Sequence, residues 1–254
     1  MRSTTAMRPS KSRDALAFCL GVVLIGALIQ TAGALKGNEL VFPGVEVILR
    51  AFVRLLGEGQ TWRRIGVTMG HVLLALGTSV VLGTAVGVLM GLCGFVRRLL
   101  QPVMSFLRAL PMVMLVFIIM VLMDYQLVPV VASALILVPM IAEAVCEGCL
   151  RIDRELIDVY RMNSSFNLTV LWRVQLPLMA GYLRQAYVNA VGMGVKLAVS
   201  TEYMVQTKNS LGRAVTDSIY FSAYEDVYAY ALIMILLVLL LSELPLAILR
   251  RMQK

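Results

Sequence analysis

Val67–Gly94 reads VTMGHVLLALGTSVVLGTAVGVLMGLCG and contains no Asp, Glu, Lys or Arg. A helix needs roughly 20 apolar residues to cross a hydrocarbon layer of about 30 Å, so this run predicts a membrane span. Gly83, Gly87 and Gly91 stand four apart within it. Small residues at that spacing line one face of a helix and let a second backbone approach closely, which predicts a helix–helix seam.

Similar runs lie on either side: Ala15 to Leu35, then about 102–123, 127–145, 179–201 and 227–249. The expected fold class is therefore all-α, a polytopic membrane protein with about six transmembrane helices. The composition agrees, with 59% hydrophobic and 15% charged residues and a mean hydropathy of +0.83. A soluble domain would carry about 45–50% apolar and about 25% charged residues. No long polar linker separates the runs, so residues 1–254 are expected to form a single transmembrane domain.

Ala32-Gly33-Ala34 resembles a signal-peptide cleavage site. The run before it has span length and exceeds an ordinary signal core, which favours an uncleaved first helix. Between Pro43 and Gly57, Val45, Ile48, Leu49, Phe52, Val53, Leu55 and Leu56 recur at helical spacing. They predict an amphipathic helix at the membrane surface. Pro102 and Pro111 fall near the start of the third span, and Arg97 and Arg98 mark a short loop before it. Asp124-Tyr125-Gln126 predicts a tight turn, and residues 202–226 form a polar segment around Gly212.

The formal net charge is +8. Its Lys and Arg residues flank apolar runs with almost no aromatic interleaving, the pattern of charges that set topology rather than bind nucleic acid. With the N-terminus inside, the inner segments hold Arg8, Lys11, Arg13, Arg97, Arg98, Arg151, Arg154, Arg161, Arg173, Arg250, Arg251 and Lys254, among others. The outer segments hold Lys36, Arg50, Arg54, Arg63, Arg64, Lys208 and Arg213. This bias predicts that both termini are cytoplasmic.

Cys146 and Cys149 form a lone C-x-x-C with no second pair. They read as small apolar residues near a helix end, since a metal would need more ligands at suitable spacing. His71, the single histidine, reads as a packed or interfacial residue. Ionisable residues inside spans are costly and often functional. Lys196, Glu202 and Glu143 are accordingly the candidates for a translocation pathway. Each also has a plainer reading: snorkelling or pairing for Lys196, a cap or salt bridge for Glu202, interfacial solvation for Glu143.

The segment at about 147–177 is the longest polar stretch, and the predicted topology puts it in the cytoplasm. Leu156, Val159, Tyr160 and Asn163 fall on one helical face, and Leu168, Leu171, Trp172 and Leu176 on another. Asn163-Ser164-Ser165 divides the two pieces, and Pro177 ends the second. A short amphipathic helix projecting from a bilayer wants a partner surface.

Glu155–Pro177, ELIDVYRMNSSFNLTVLWRVQLP, resembles the EAA loop of ABC importer permeases: E-A-A, a glycine a few residues on, then an apolar residue and L-P. Leu176-Pro177 matches the L-P pair without a gap, and Val174 holds the apolar position. Asp158, Val159 and Tyr160 stand in place of E-A-A, and Ser164 in place of the glycine. Val41–Leu56 (VFPGVEVILRAFVRLL) is similar to the segment after the first helix in permeases of the sulfonate, taurine, nitrate and thiamine-precursor group. Leu107-Arg108-Ala109-Leu110-Pro111 resembles that group's L-R-x-x-P. Lys196–Met204 (KLAVSTEYM) resembles the end of its fifth helix, where Glu202 fits a recurring glutamate, and Ser210-Leu211-Gly212 resembles its later L-G.

The resemblance implies a type I ABC importer permease in a bacterial inner membrane. Asp158, Val159, Tyr160, Ser164, Leu176 and Pro177 would then couple it to the ATPase. The partners implied are two ABC ATPase subunits, an extracytoplasmic substrate-binding protein, a second permease subunit in a homodimer, and membrane lipid. The chain carries no G-x-x-x-x-G-K-[ST] phosphate loop. It is therefore not expected to be an enzyme or to bind a cofactor itself, and ATP would be hydrolysed by the partner subunits. The implied cargo is a small organic anion or a vitamin precursor. A stand-alone secondary transporter or channel is the main alternative, and would predict a relay of buried charges or an internal repeat.

Overall fold

The structure, a computed structural model, describes residue 31, residues 41–152 and residues 176–252. The first span (Ala15 to Leu35, apart from Thr31) lies outside the described residues, and so do Asp158, Val159, Tyr160 and Ser164 of the expected coupling loop.

The described elements are all helical: α1 (Val45–Gly57), α2 (Gly59–Leu92), α3 (Gly94–Ala109), α4 (Met112–Leu122), α5 (Val128–Leu150), a single turn at Leu176–Leu178, α6 (Ala180–Val205), α7 (Leu211–Tyr220) and α8 (Tyr224–Met252). Three of them are long and apolar enough to cross a membrane: α2, α5 and the Tyr224–Leu241 part of α8. The bent pair α3–α4 makes a fourth if it is one span. At 26 residues α6 is also long enough, since a span takes roughly 20, but it is not apolar enough to join that group.

The seam expected at Gly83, Gly87 and Gly91 forms between α2 and α5. A Cβ on Gly83 would stand 2.8 Å from Ile141 Cβ, one on Gly87 2.5 Å from the Ala142 carbonyl oxygen, and one on Gly91 2.4 Å from Cys149 Cβ. No side chain fits there, so α2 and α5 lie backbone to backbone, the arrangement that packing attraction favours in lipid. Cys146 and Cys149 are buried along this junction. Around it, Val72, Leu76, Leu137, Ile141 and Val145 pack against Ala190, Val195 and Ala198 of α6.

The amphipathic helix expected after Pro43 forms as α1. Its buried face, Ile48, Ala51 and Leu55, has a protein partner: Ala51 and Leu55 cluster with Leu211 and Ala214 of α7 and with Ala229, Tyr230 and Ile233 of α8. Arg54 ties α1 to α8 through Asp226. The tight turn forms as expected, with Asp124 Oδ1 accepting the Gln126 N–H at 2.9 Å.

Two expectations are corrected. The third span is not one rod from 102 to 123, because α3 and α4 meet at an angle of 101°. Leu110 is extended, at ψ 126, and Pro111 follows it. Proline disfavours the helical conformation in the residue before it and supplies no N–H, so the chain turns here. Arg97 and Arg98 are not in a loop either. They lie within α3, and the break is the extended Cys93.

Candidate translocation and coupling site

The three candidate pathway residues are not brought together. Glu143 faces α3 and pairs with Arg108, each partly exposed. That ion pair ties the end of α3, just before the bend, to the C-terminal half of α5. Lys196 lies on the outer face of α6, in a groove of about 360 Å³ between α6 and α8 lined also by Val195, Val199, Ser200, Met234, Ile235, Val238 and Leu239.

Glu202, in the last turn of α6, is fully buried. Its Oε2 accepts the Thr68 hydroxyl at 2.8 Å and the Gly212 N–H at 3.3 Å. Its Oε1 stands 2.7 Å from His71 Nδ1, a distance that requires a proton between two otherwise repelling acceptors. Thr68 Oγ1 accepts the Leu211 N–H at 2.9 Å, and Ser210 caps α7 by accepting the Arg213 N–H. Glu202 therefore joins α2, α6 and the start of α7, with its lone pairs occupied as a buried carboxylate requires. In this conformation it is enclosed by packing rather than open to a path. Gly212 has no room for a side chain, since a Cβ would stand 2.4 Å from the Tyr203 nitrogen.

Thr68 and His71 were not singled out as functional by sequence reasoning. The available signal was two polar side chains three apart on one face of an apolar helix, with a carboxylate near the end of another span.

The helices on the two sides of the expected coupling loop, α5 and α6, pack together close to where the loop leaves and rejoins them. Met179 is fully buried, and it and Tyr182 lie against Gly148, where an added Cβ would be 3.6 and 3.4 Å from theirs. The Arg151 guanidinium lies over the Tyr182 ring, 5.5 Å from its centroid. The Leu176-Pro177 pair stands in the single turn that leads into α6. Residue 152 and residue 176 are thus held on a common base formed by α5 and α6.

No group of three or more His, Cys, Asp or Glu side chains suited to a metal occurs among the described residues.

Residues 44–254 match the family described as the binding-protein-dependent transport system inner membrane component. A comparison with curated protein sequences finds no significant match. Among solved structures, the chain is similar to the MetNI methionine ABC transporter in inward-facing conformations, with TM-score 0.66 and 19% identity, covering 74% of this chain and 94% of that one. It is also similar to a bacterial ABC transporter involved in the import of the acidic polysaccharide alginate, with TM-score 0.69 and 13% identity, covering 96% of this chain and 98% of that one. The all-helical architecture, its apolar spans and these likenesses agree on the fold of type I ABC importer permeases. The chain belongs to the family of inner membrane permease components of binding-protein-dependent ABC importers.

Proposed function

We propose that this chain forms half of a substrate passage across the inner membrane, as one of two identical permease subunits, and that it is driven through the segment between α5 and α6. Two cytoplasmic ATPase subunits would grip that segment through Asp158, Val159, Tyr160 and Ser164. Leu176 and Pro177 would set the angle at which it rejoins the span. An extracytoplasmic binding protein would deliver the cargo. Both termini, and the coupling segment with them, would face the cytoplasm, as the Lys and Arg bias favours. The cargo class that the sequence resemblance implies, a small organic anion or a vitamin precursor, belongs to the same reading.

One observation carries the coupling part. The residues on both sides of the segment rest on one base, where Gly148, Met179, Tyr182 and Arg151 meet. A push on a segment whose two ends leave from helices packed against each other would move α5 and α6 together, whereas a segment rooted on two separate helices would absorb it. Through the glycine seam α5 carries α2 with it. Packed interiors of this kind shift between discrete arrangements instead of yielding gradually, as a two-state transporter requires.

The test is reconstitution. Vesicles containing this chain and its ATPase, supplied with ATP and the binding protein, should accumulate cargo, and omission of any one component should abolish uptake. Tyr160→Ala should lower substrate-stimulated ATP hydrolysis. Uptake that persists without the ATPase would overturn the proposal in favour of a stand-alone transporter.

A further inference from the structure

The exposed face of α6 differs in chemistry from the exposed faces described on α2 and α8. Gln185, Asn189, Met193, Lys196, Ser200 and Tyr203 are all exposed, at intervals of three or four residues along one side. The exposed residues of α2 include Leu73, Leu82 and Leu89, and those of α8 include Leu236 and Leu240. Lipid suits the second kind of face and not the first, because an amide or an ammonium in hydrocarbon has nothing to hydrogen-bond. Gln185 and Asn189 satisfy one bond between themselves, at 3.2 Å, which leaves most of their donors and acceptors turned outward.

Lys196 lies well inside α6, away from both of its ends. It is 16 residues from Ala180 and nine from Val205, or about 24 Å and about 14 Å at the helical rise of about 1.5 Å per residue. No carboxylate pairs with it among the described residues. Glu202 is engaged instead with α2 and α7. Snorkelling explains a lone lysine whose route to the interface crosses an apolar face. Here that route carries Ser200 and Tyr203, so the polar face continues to the end of the helix. The groove holding Lys196 and Ser200 is walled on its other side by Met234, Ile235, Val238 and Leu239.

We propose that this stripe is the water-exposed wall that the chain contributes to the passage, and that Lys196 makes the passage select for small anions bearing an apolar part. A fixed positive charge between low-dielectric walls attracts anions and repels cations far more strongly than it would in bulk water. The apolar wall opposite would favour cargo with a short hydrocarbon portion over a bare inorganic ion. The proposal rests on the permease reading and adds to it a location and a charge rule.

The experiment uses the transporter assembled with its ATPase in lipid nanodiscs, in a Cys19→Ser, Cys93→Ser background. Single probes at Ser200→Cys and Asn189→Cys are compared with Leu240→Cys. Each is treated with a negatively and a positively charged methanethiosulfonate, with rates normalised to a free thiol. Both stripe probes should react at least tenfold faster than Leu240→Cys. At Ser200→Cys the anionic reagent should be favoured about tenfold, and adding Lys196→Gln should abolish that preference. Stripe probes as inert as Leu240→Cys would mean that lipid or protein covers the face, and would overturn the proposal. Reactive probes whose charge preference ignores Lys196→Gln would overturn the role of the lysine. Retention of the ATPase in the same preparations reads the permease assignment separately.

Discussion

Replacing Glu202 by alanine removes the acceptor shared by three groups at the junction of α2, α6 and α7. The Thr68 hydroxyl and the Gly212 amide would lose their partner in a site where Glu202 is fully buried. Leaving a buried donor unsatisfied costs about 1–3 kcal/mol per group. The His71 side chain is 13% exposed, so water can serve it in part, and its loss adds less. Hydrogen bonds between membrane helices average only about 0.6 kcal/mol, so three of them set a lower bound near 2 kcal/mol. The expected loss for Glu202→Ala is therefore about 2–5 kcal/mol. Glu202→Gln keeps an oxygen for Thr68 and Gly212 and offers an amide N–H to His71, so it should cost under about 1 kcal/mol. Equilibrium unfolding of the purified chain in mixed micelles, titrated with sodium dodecyl sulfate and followed by helicity, separates the two. Glu147→Ala, an exposed carboxylate on α5, should stay within about 0.5 kcal/mol of the wild type. If Glu202→Ala proves no worse than Glu202→Gln, the network does not hold the junction together and the reasoning is refuted.

Two further perturbations follow from the packing. Gly87→Val should destabilise the chain by at least about 1–3 kcal/mol, since even its Cβ would overlap the Ala142 backbone. Gly66→Ala, with open space around its Cβ, should be neutral or stabilising by up to about 1 kcal/mol through helix propensity; the same unfolding titration compares them. The Arg108–Glu143 ion pair is partly exposed and should contribute only about 0–1 kcal/mol. Its value in linking α3 to α5 should appear as rescue, with Arg108→Glu and Glu143→Arg each lowering ATP-driven uptake and the double exchange restoring it.

The sequence exposed those parts of the fold that depend on local periodicity. The glycine seam was legible because its residues recur every four positions, and α1 because its apolar residues keep helical spacing. Pro111 was visible in the sequence, but the size of the bend was not, because the apolar residues on both sides of it read as one span, and a proline near the start of a helix is compatible with a straight one. Arg97 and Arg98 suggested a loop by their charge, yet charged residues sit readily on the exposed side of an amphipathic helix such as α3.

Of the pathway candidates, the sequence showed the ionisable residues but not the partners that the structure gives them. Glu202 was noted for its place at a helix end, but Thr68 and His71 are more than 130 residues earlier, a pairing that no local pattern encodes. Lys196 stood out as a charge within a span. The polar face around it needs Gln185, Asn189 and Ser200 to be read together. Those same residues keep α6 below the hydropathy of the other long helices.

The most direct measurement of the central claim is co-purification of this chain with its ATPase, comparing the wild type with a variant lacking residues 158–165. The account predicts that the ATPase is retained by the wild-type chain and lost from the deletion variant, while the helicity of both is preserved. An ATPase that binds equally well without those residues, or that never associates with the folded wild-type chain, would contradict it.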